Sequence, residues 1–165
     1  MINSKKSNTE PGRGIESHPA RQRAANLRQR LLRASRVINL EIVNGLQLHG
    51  FIKLSSTHTA LLSNLDLEGS NLTDIAQRAG MTKQAMGRLA DELIDLNYIK
   101  RSRSEADKRA VKLSFTPSGI KLMNKSFIIM QEIETRCVAR LGENQFNNLL
   151  GSLNEIVSEF ENSPV

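Results

Sequence analysis

Apolar positions recur every three or four residues along most of this chain, and that spacing predicts a mainly helical protein. The predicted helices cover approximately residues 19–50, 55–65, 71–80, 82–96 and 117–141, and a last helix follows Gly142. Several of their ends carry specific signals. Asn71 and Asp74 have the spacing of a capping box, Thr82 is placed to cap the fourth helix, and Thr116-Pro117 is a strong helix start.

The spacing changes to alternation between the fourth and fifth helices. Residues 98–103 and 110–115 are predicted to form two short strands joined by a polar loop, residues 104–109. Two short helices with a tight turn, followed by a hairpin, make a helix-turn-helix with a wing. The predicted fold class is therefore mainly α with a small β-hairpin wing: a winged helix-turn-helix plus further helices.

Composition narrows the class of protein. The chain has 165 residues, 39% of them hydrophobic, and a single cysteine, Cys137. That excludes an intrachain disulfide and a thiolate zinc cluster. No apolar run is long enough for a membrane span, and residues 1–20 lack the apolar segment of a secretory signal. We expect a cytoplasmic protein with no cofactor and no metal. Recognisable catalytic arrangements and phosphate-binding glycine loops are absent from the sequence, so an enzyme is not expected.

Charge is unevenly distributed along the chain. The total is +6, yet residues 1–36 carry 9 basic and 2 acidic groups and residues 78–125 carry 11 and 5. Residues 37–77 and 126–165 are both net acidic. A basic central block is typical of a surface that binds a polyanion. Aromatic residues make up only 4% of the chain, which argues against stacking on single strands and favours duplex DNA.

The second helix of the pair would lie in the major groove, with its N-terminal residues at base edges. Gln84 can pair with adenine, Lys83 and Arg88 with guanine or phosphate, and Ala85 can touch a thymine methyl. Gly87 permits close approach of the backbone. The wing can reach phosphates and the narrower groove. The predicted DNA-contact residues are Thr82, Lys83, Gln84, Ala85, Gly87, Arg88, Arg103, Lys108 and Arg109.

Residues 107–119, Asp-Lys-Arg-Ala-Val-Lys-Leu-Ser-Phe-Thr-Pro-Ser-Gly, resemble the wing signature of the MarR family. Leu54-Ser55, Leu62 and Leu65 are similar to the second-helix pattern of that family, and residues 75–76 and 81–101 to its two DNA-reading helices. The resemblance covers roughly residues 30–160. His58 and Asn97 depart from it, standing where the family commonly has glutamine and glycine.

The resemblance implies a homodimeric transcriptional regulator that reads a palindromic operator. Arg109 would be the minor-groove arginine, and Asp107 would hold the wing in shape. Residues 19–53 and 116–165 would form a helical dimerisation region, residues 54–115 the DNA-binding domain and residues 1–18 a flexible tail. The first and the last two helices would interlock with the partner. The predicted dimerisation residues are Leu27, Leu31, Ile38, Phe127, Met130, Phe146, Leu150, Leu153, Val157 and Phe160.

His49 and His58 lie near the junction where members of this family often bind small anionic aromatic effectors, and either histidine is a candidate pocket residue. For both, a satisfied or exposed histidine is the commoner role. Cys137 is a candidate redox sensor, with plain core packing as the alternative. Two other functions stay open: a winged-helix protein–protein adaptor, and a constitutive architectural DNA-binding protein.

Overall fold

The computed structural model describes residues 26–103 and 111–161, and the chain divides into two compact units, residues 1–35 and 36–165. The helices of the described ranges are α1 Leu27–Leu48, α2 Thr59–Leu62, α3 Leu72–Arg78, α4 Lys83–Asp95, α5 Pro117–Leu141 and α6 Glu143–Glu161. The strands are β1 Ser70–Asn71, β2 Ile99–Arg103 and β3 Val111–Phe115. The predicted fold class is confirmed. The predicted tail, residues 1–18, lies outside the described residues, and the three predicted domain boundaries stay predictions.

Two of the predicted caps start α4 and α5. The Thr82 hydroxyl accepts a hydrogen bond from the Ala85 N–H at 3.2 Å, and the Thr116 hydroxyl accepts one from the Gly119 N–H at 3.0 Å. Each bond satisfies an N–H group that has no partner inside the helix. Thr116 also donates to the Asn97 carbonyl at 2.6 Å, which connects the start of α5 to the end of α4. Asn97 has the left-handed φ of 58° expected of a residue that ends a helix.

Three local details differ from the prediction. Helix α2 begins only at Thr59, because the chain turns at residues 55–58 and the Ser55 N–H binds the His58 ring at 3.1 Å. Asn71 precedes α3 but makes no capping bond to the helix backbone; its amide instead donates to the Asp74 carboxylate at 3.3 Å. Strand β1 was not predicted, since two residues are too few to show a period.

The sheet is antiparallel with the order β1-β3-β2. Its hairpin pairs Ile99 with Phe115 at one end and Arg103 with Val111 at the other. On the central strand, Leu113 is fully buried and Phe115 nearly so. This side of the sheet belongs to the same apolar core as α3 and α4.

Buried apolar side chains from α1, α2, α3, α4, the hairpin and α5 form one core. The largest side chains that are fully buried are Leu61, Ile75, Met86, Leu93, Ile99, Leu113 and Leu122. Helix α6 contributes no buried residue. Among the described residues, no helix combines the length and the apolar character needed to cross a membrane.

Gly119 permits the close approach of α5 to the helix-turn-helix. A Cβ at this position would lie 1.9 Å from the Tyr98 carbonyl oxygen, a backbone atom that cannot move aside. We expect Gly119→Ala to lower the free energy of unfolding by about 1–3 kcal/mol, as overpacking of a core does. Urea unfolding followed by circular dichroism measures this loss.

Gly151→Ala is the matched control, because a Cβ at Gly151 has nothing within 4 Å. Alanine is the better helix former, so this variant should gain up to about 1 kcal/mol. Equal stability of the two variants would contradict the close contact at Gly119.

Candidate nucleic-acid interface

Helix α4 has one buried face and one exposed face. Met86, Ala90 and Leu93 are fully buried and Leu89 is 9% exposed, which fixes the helix on the core. Lys83, Gln84 and Arg88 are exposed. Gln84 and Arg88 stand four residues apart and therefore lie side by side on the helix surface. The first turn of the helix carries no acidic residue.

Three exposed side chains near the start of α4 are uncommitted among the described residues. Within the described part of the chain, Lys83, Gln84 and Arg88 take part in no ion pair or side-chain hydrogen bond. Ala85 and Gly87, on the same stretch, are half-buried, and the space around Gly87 is open. A helix start with uncommitted cations and an open backbone fits an anionic groove.

The wing supplies the remaining predicted DNA-contact residues. Arg103 is the last residue of β2, and the register of the hairpin places it opposite Val111 at the wing end. Lys108, Arg109 and the predicted wing-structuring residue Asp107 lie outside the described residues. Their roles stay predictions.

Two polar contacts to α4 were not predicted. Arg101 of β2 donates to the Asp91 carboxylate at 2.8 Å, and the His58 Nε2 lies 2.8 Å from the Glu92 carboxylate. Arg101 belongs to a strand of the wing hairpin. Because the pair with Asp91 is exposed, it contributes little stability, and a phosphate can compete for the arginine at small cost.

His58 connects α2 to α4. Its side chain is 4% exposed, and its Nδ1 accepts from the Ser55 N–H, so the proton is on Nε2 and is donated to Glu92. No local pattern could show this contact, since the two residues are 34 positions apart. His58 is a satisfied, buried histidine. His49 is exposed, and its Nδ1 lies 2.8 Å from the Gly45 carbonyl.

A cavity of about 510 Å³ lies beside α1, α2 and α5. Neither predicted pocket histidine lines it, but His49 lines a separate groove of α1 and α5 together with Glu41 and Arg136. The lining is mostly apolar, with a few hydroxyls, one amide and two carboxylates: Asn39, Ile42, Leu46, Thr59, Leu62, Ser63, Leu65, Asp66, Leu67, Glu68, Leu122, Met123, Ser126, Phe127 and Met130. Cys137 is half-buried and lines a separate groove beside Arg136 and Arg140.

The two carboxylates of this cavity differ in their surroundings. Asp66 accepts hydrogen bonds from both terminal nitrogens of Arg78, at 2.9 and 3.1 Å, and from the Ser70 hydroxyl. The Arg78 guanidinium is the main cause that lowers the pKa of Asp66 to about 2. Glu68 is exposed and makes no such contact within the described residues.

The predicted dimerisation residues share one property: none of them is buried within the chain. Leu27 and Leu31 are 55% and 38% exposed in the first compact unit. In the second unit, Phe127, Val157 and Phe160 are more than half exposed. Ile38, Met130, Phe146 and Leu153 are half-buried, and Leu150 is exposed.

Comparisons with known proteins agree with this geometry. Residues 42–110 match the model of the MarR family. A comparison with curated proteins finds no match. Among solved structures, a MarR transcriptional regulator from Methanosarcina mazei Go1 has a TM-score of 0.64 at 21% identity, covering 75% of this chain and 88% of that one.

Two other solved structures contain bound molecules. The transcriptional repressor CouR, bound to a 23-mer DNA duplex, has a TM-score of 0.64 at 22% identity, covering 82% of this chain and 95% of that one. The PcaV transcriptional regulator from Streptomyces coelicolor, in complex with its natural ligand, has a TM-score of 0.58 at 15% identity, covering 90% and 98%. At these identities the likeness concerns the fold.

Together, the helix pair, the wing hairpin and the shared fold define a winged helix-turn-helix protein. Its residues 42–110 are similar to the MarR family, whose model they match. The resemblance found in the wing and the two reading helices is confirmed.

Gly87 allows a test of how closely α4 approaches a duplex. A Cβ at this position meets nothing within 4 Å in the protein, so Gly87→Ala should raise the free energy of unfolding by up to about 1 kcal/mol. If a duplex lies against this turn, the same methyl group should weaken DNA binding by about tenfold. Urea unfolding and fluorescence anisotropy with labelled duplex measure the two effects.

Gly151→Ala again serves as the control, because it adds the same methyl group to α6, another helix. It should leave DNA affinity unchanged. Unaltered DNA affinity of Gly87→Ala would show that the backbone of α4 stays away from the duplex.

Proposed function

We propose that this protein is a homodimeric, sequence-specific double-stranded DNA-binding transcriptional regulator. It acts as a repressor whose affinity for a palindromic operator is modulated by a small-molecule effector. The observation that carries the proposal is the exposed face of α4, where Lys83, Gln84 and Arg88 are uncommitted within the described residues. A regulator of promoters shares a compartment with DNA, so we place it in the cytoplasm.

DNA recognition would follow from the side-chain chemistry of α4. Arginine binds the two acceptors of guanine with a bidentate geometry, and glutamine matches the acceptor and donor of adenine. The wing, whose strands carry Lys100, Arg101 and Lys112 in addition to Arg103, would neutralise phosphates. CouR, which shares this fold, is bound to a DNA duplex.

The dimer is supported by apolar surface that the single chain leaves exposed. Helix α6 has no buried residue, although Leu149, Leu150, Leu153, Ile156, Val157 and Phe160 recur along it. Exposed apolar surface of this extent marks an interaction site. A second copy of the chain would cover it and would present two α4 helices to two half-sites of an operator.

Effector control is supported by the position of the cavity. Thr59 and Leu62 of α2 line it, and His58, next to Thr59, is hydrogen-bonded to Glu92 of α4. A ligand that shifts α2 would therefore move the recognition helix. If the ligand binds the shifted state better, the population moves away from the DNA-binding state. PcaV, which shares this fold, is in complex with a ligand.

Selection of bound duplexes from a random-sequence pool tests the DNA-reading function. With the full chain at near-physiological salt, we expect enrichment of a palindrome. Arg88→Ala should cost about 1–3 kcal/mol on the selected site and relax specificity at one base pair of each half-site. The control Arg140→Ala removes an exposed arginine from α5 and should change neither the affinity for the selected site nor the specificity.

The other outcomes decide between functional classes. Salt-sensitive binding of every duplex without enrichment would favour a constitutive architectural protein. No binding at all would leave the protein–protein adaptor. Retained specificity in Arg88→Ala would remove the proposed role of that residue.

Sedimentation velocity at micromolar concentration tests the dimer. We expect the parent chain to sediment as a dimer and Leu150→Glu as a monomer, because a carboxylate buried in an apolar interface is unfavourable. Asn148→Glu, which adds the same charge at an exposed polar position of α6, should stay dimeric. A monomeric parent chain would contradict the proposal.

A further inference from the structure

The cavity beside α1, α2 and α5 has an unusual polar chemistry. Its described lining contains no lysine, arginine or histidine, and its ionisable side chains are the carboxylates of Asp66 and Glu68. The anionic aromatic effector expected from the family resemblance would therefore meet no cation among the described lining residues. An anion in a largely apolar site without a cation loses its hydration and gains no ion pair.

The hydroxyl groups of the lining give a second, independent argument against an anionic ligand. Each of them donates its proton to a backbone carbonyl: Thr59 to Ser56 at 2.6 Å, Ser63 to Thr59 at 2.7 Å and Ser126 to Met123 at 2.7 Å. A hydroxyl has one donor and two acceptor positions, so these groups can offer a ligand only lone pairs. Asn39 carries an amide and is itself engaged in an interaction within the chain.

The carboxylates complete this pattern of acceptors. Arg78 compensates the charge of Asp66, whereas Glu68 has no such partner among the described residues. The lining thus combines an apolar body, formed by Ile42, Leu46, Leu62 and Leu122 among others, with hydrogen-bond acceptors and one uncompensated negative charge. A ligand that is complementary to this lining has an apolar body of the size of an aromatic ring and a positively charged group that donates hydrogen bonds.

We propose that the cavity selects a lipophilic amine or related organic cation, and that Glu68 is the residue that sets this charge preference. The inference rests on the proposed effector-regulated function and names the chemical class of its ligand. A volume of about 510 Å³ is within the range of small-molecule sites. Ion-pairing with Glu68 at the cavity would favour a cation over an anion of the same shape by about tenfold or more.

Three probes of matched shape test the proposal: para-phenylbenzylamine, para-phenylbenzyl alcohol and para-phenylbenzoate. Isothermal titration of the full chain should give the tightest binding for the amine, weaker binding for the alcohol and the weakest for the carboxylate. Equal binding of amine and carboxylate, or preference for the carboxylate, would overturn the charge assignment. Absence of binding by all three would overturn the cavity as a site for this class of ligand.

Substitutions test which residues cause the preference for the amine. Glu68→Gln should weaken binding of the amine several-fold and leave the alcohol unchanged, whereas the control Glu143→Gln, a carboxylate outside the cavity, should change neither. An unaltered amine affinity in Glu68→Gln would remove this residue from the proposal. Ser126→Trp fills the cavity and should abolish binding of all probes. Ser63→Trp, at the residue that follows α2, fills the cavity from the other side and is used if Ser126→Trp fails to fold.

These outcomes are separate from the test of DNA recognition. Selection of duplexes is performed without any probe, so a palindrome can be enriched whether or not the amine binds. Conversely, amine binding to the cavity can be measured without DNA. Persistence of amine binding in both tryptophan variants would place the probe elsewhere on the protein and overturn the proposal.

Discussion

Burial of one face of α4 is the interaction on which the rest of this structure depends. Met86, Ala90 and Leu93 are fully removed from solvent, and burying a large apolar side chain contributes about 1.5–3 kcal/mol. A helix held along one face has its opposite face fixed as well. The position of Lys83 and Arg88 is therefore a consequence of core packing, and the polar contacts of Asp91 and Glu92 lie on the solvent side of the same helix.

The two ends of α4 are held by different kinds of contact. Its start is closed by the Thr82 cap, and its second half is connected to α2 through His58 and to the hairpin through Arg101. Helix α2 also borders the cavity. This element of only four residues, Thr59–Leu62, lines the cavity, and His58, which precedes it, contacts α4.

A large part of the fold follows from local patterns. The 3.6-residue period identified the six helices that lie within residues 26–103 and 111–161, and the Thr82 and Thr116 caps placed the starts of α4 and α5, because capping depends on residues within one turn. The alternating stretches predicted the bounds of both hairpin strands to within one residue. Local patterns did not predict elements that are very short or whose bounds depend on contacts outside the element. Strand β1 has two residues, and α2 is shortened by the contact of Ser55 with the His58 ring.

Local patterns likewise predicted one part of the candidate site and missed the other. Sequence alone determined which residues on α4 face outward, since the spacing of its apolar residues decides the buried face and leaves Lys83, Gln84 and Arg88 opposite. Only the tertiary structure decided that His58 pairs with Glu92, that neither His49 nor His58 lines the cavity, and that the cavity presents acceptors without a cation among the described residues. Periodicity describes one element at a time. These contacts join side chains from elements that are far apart in the chain, so they form only when the elements have packed together.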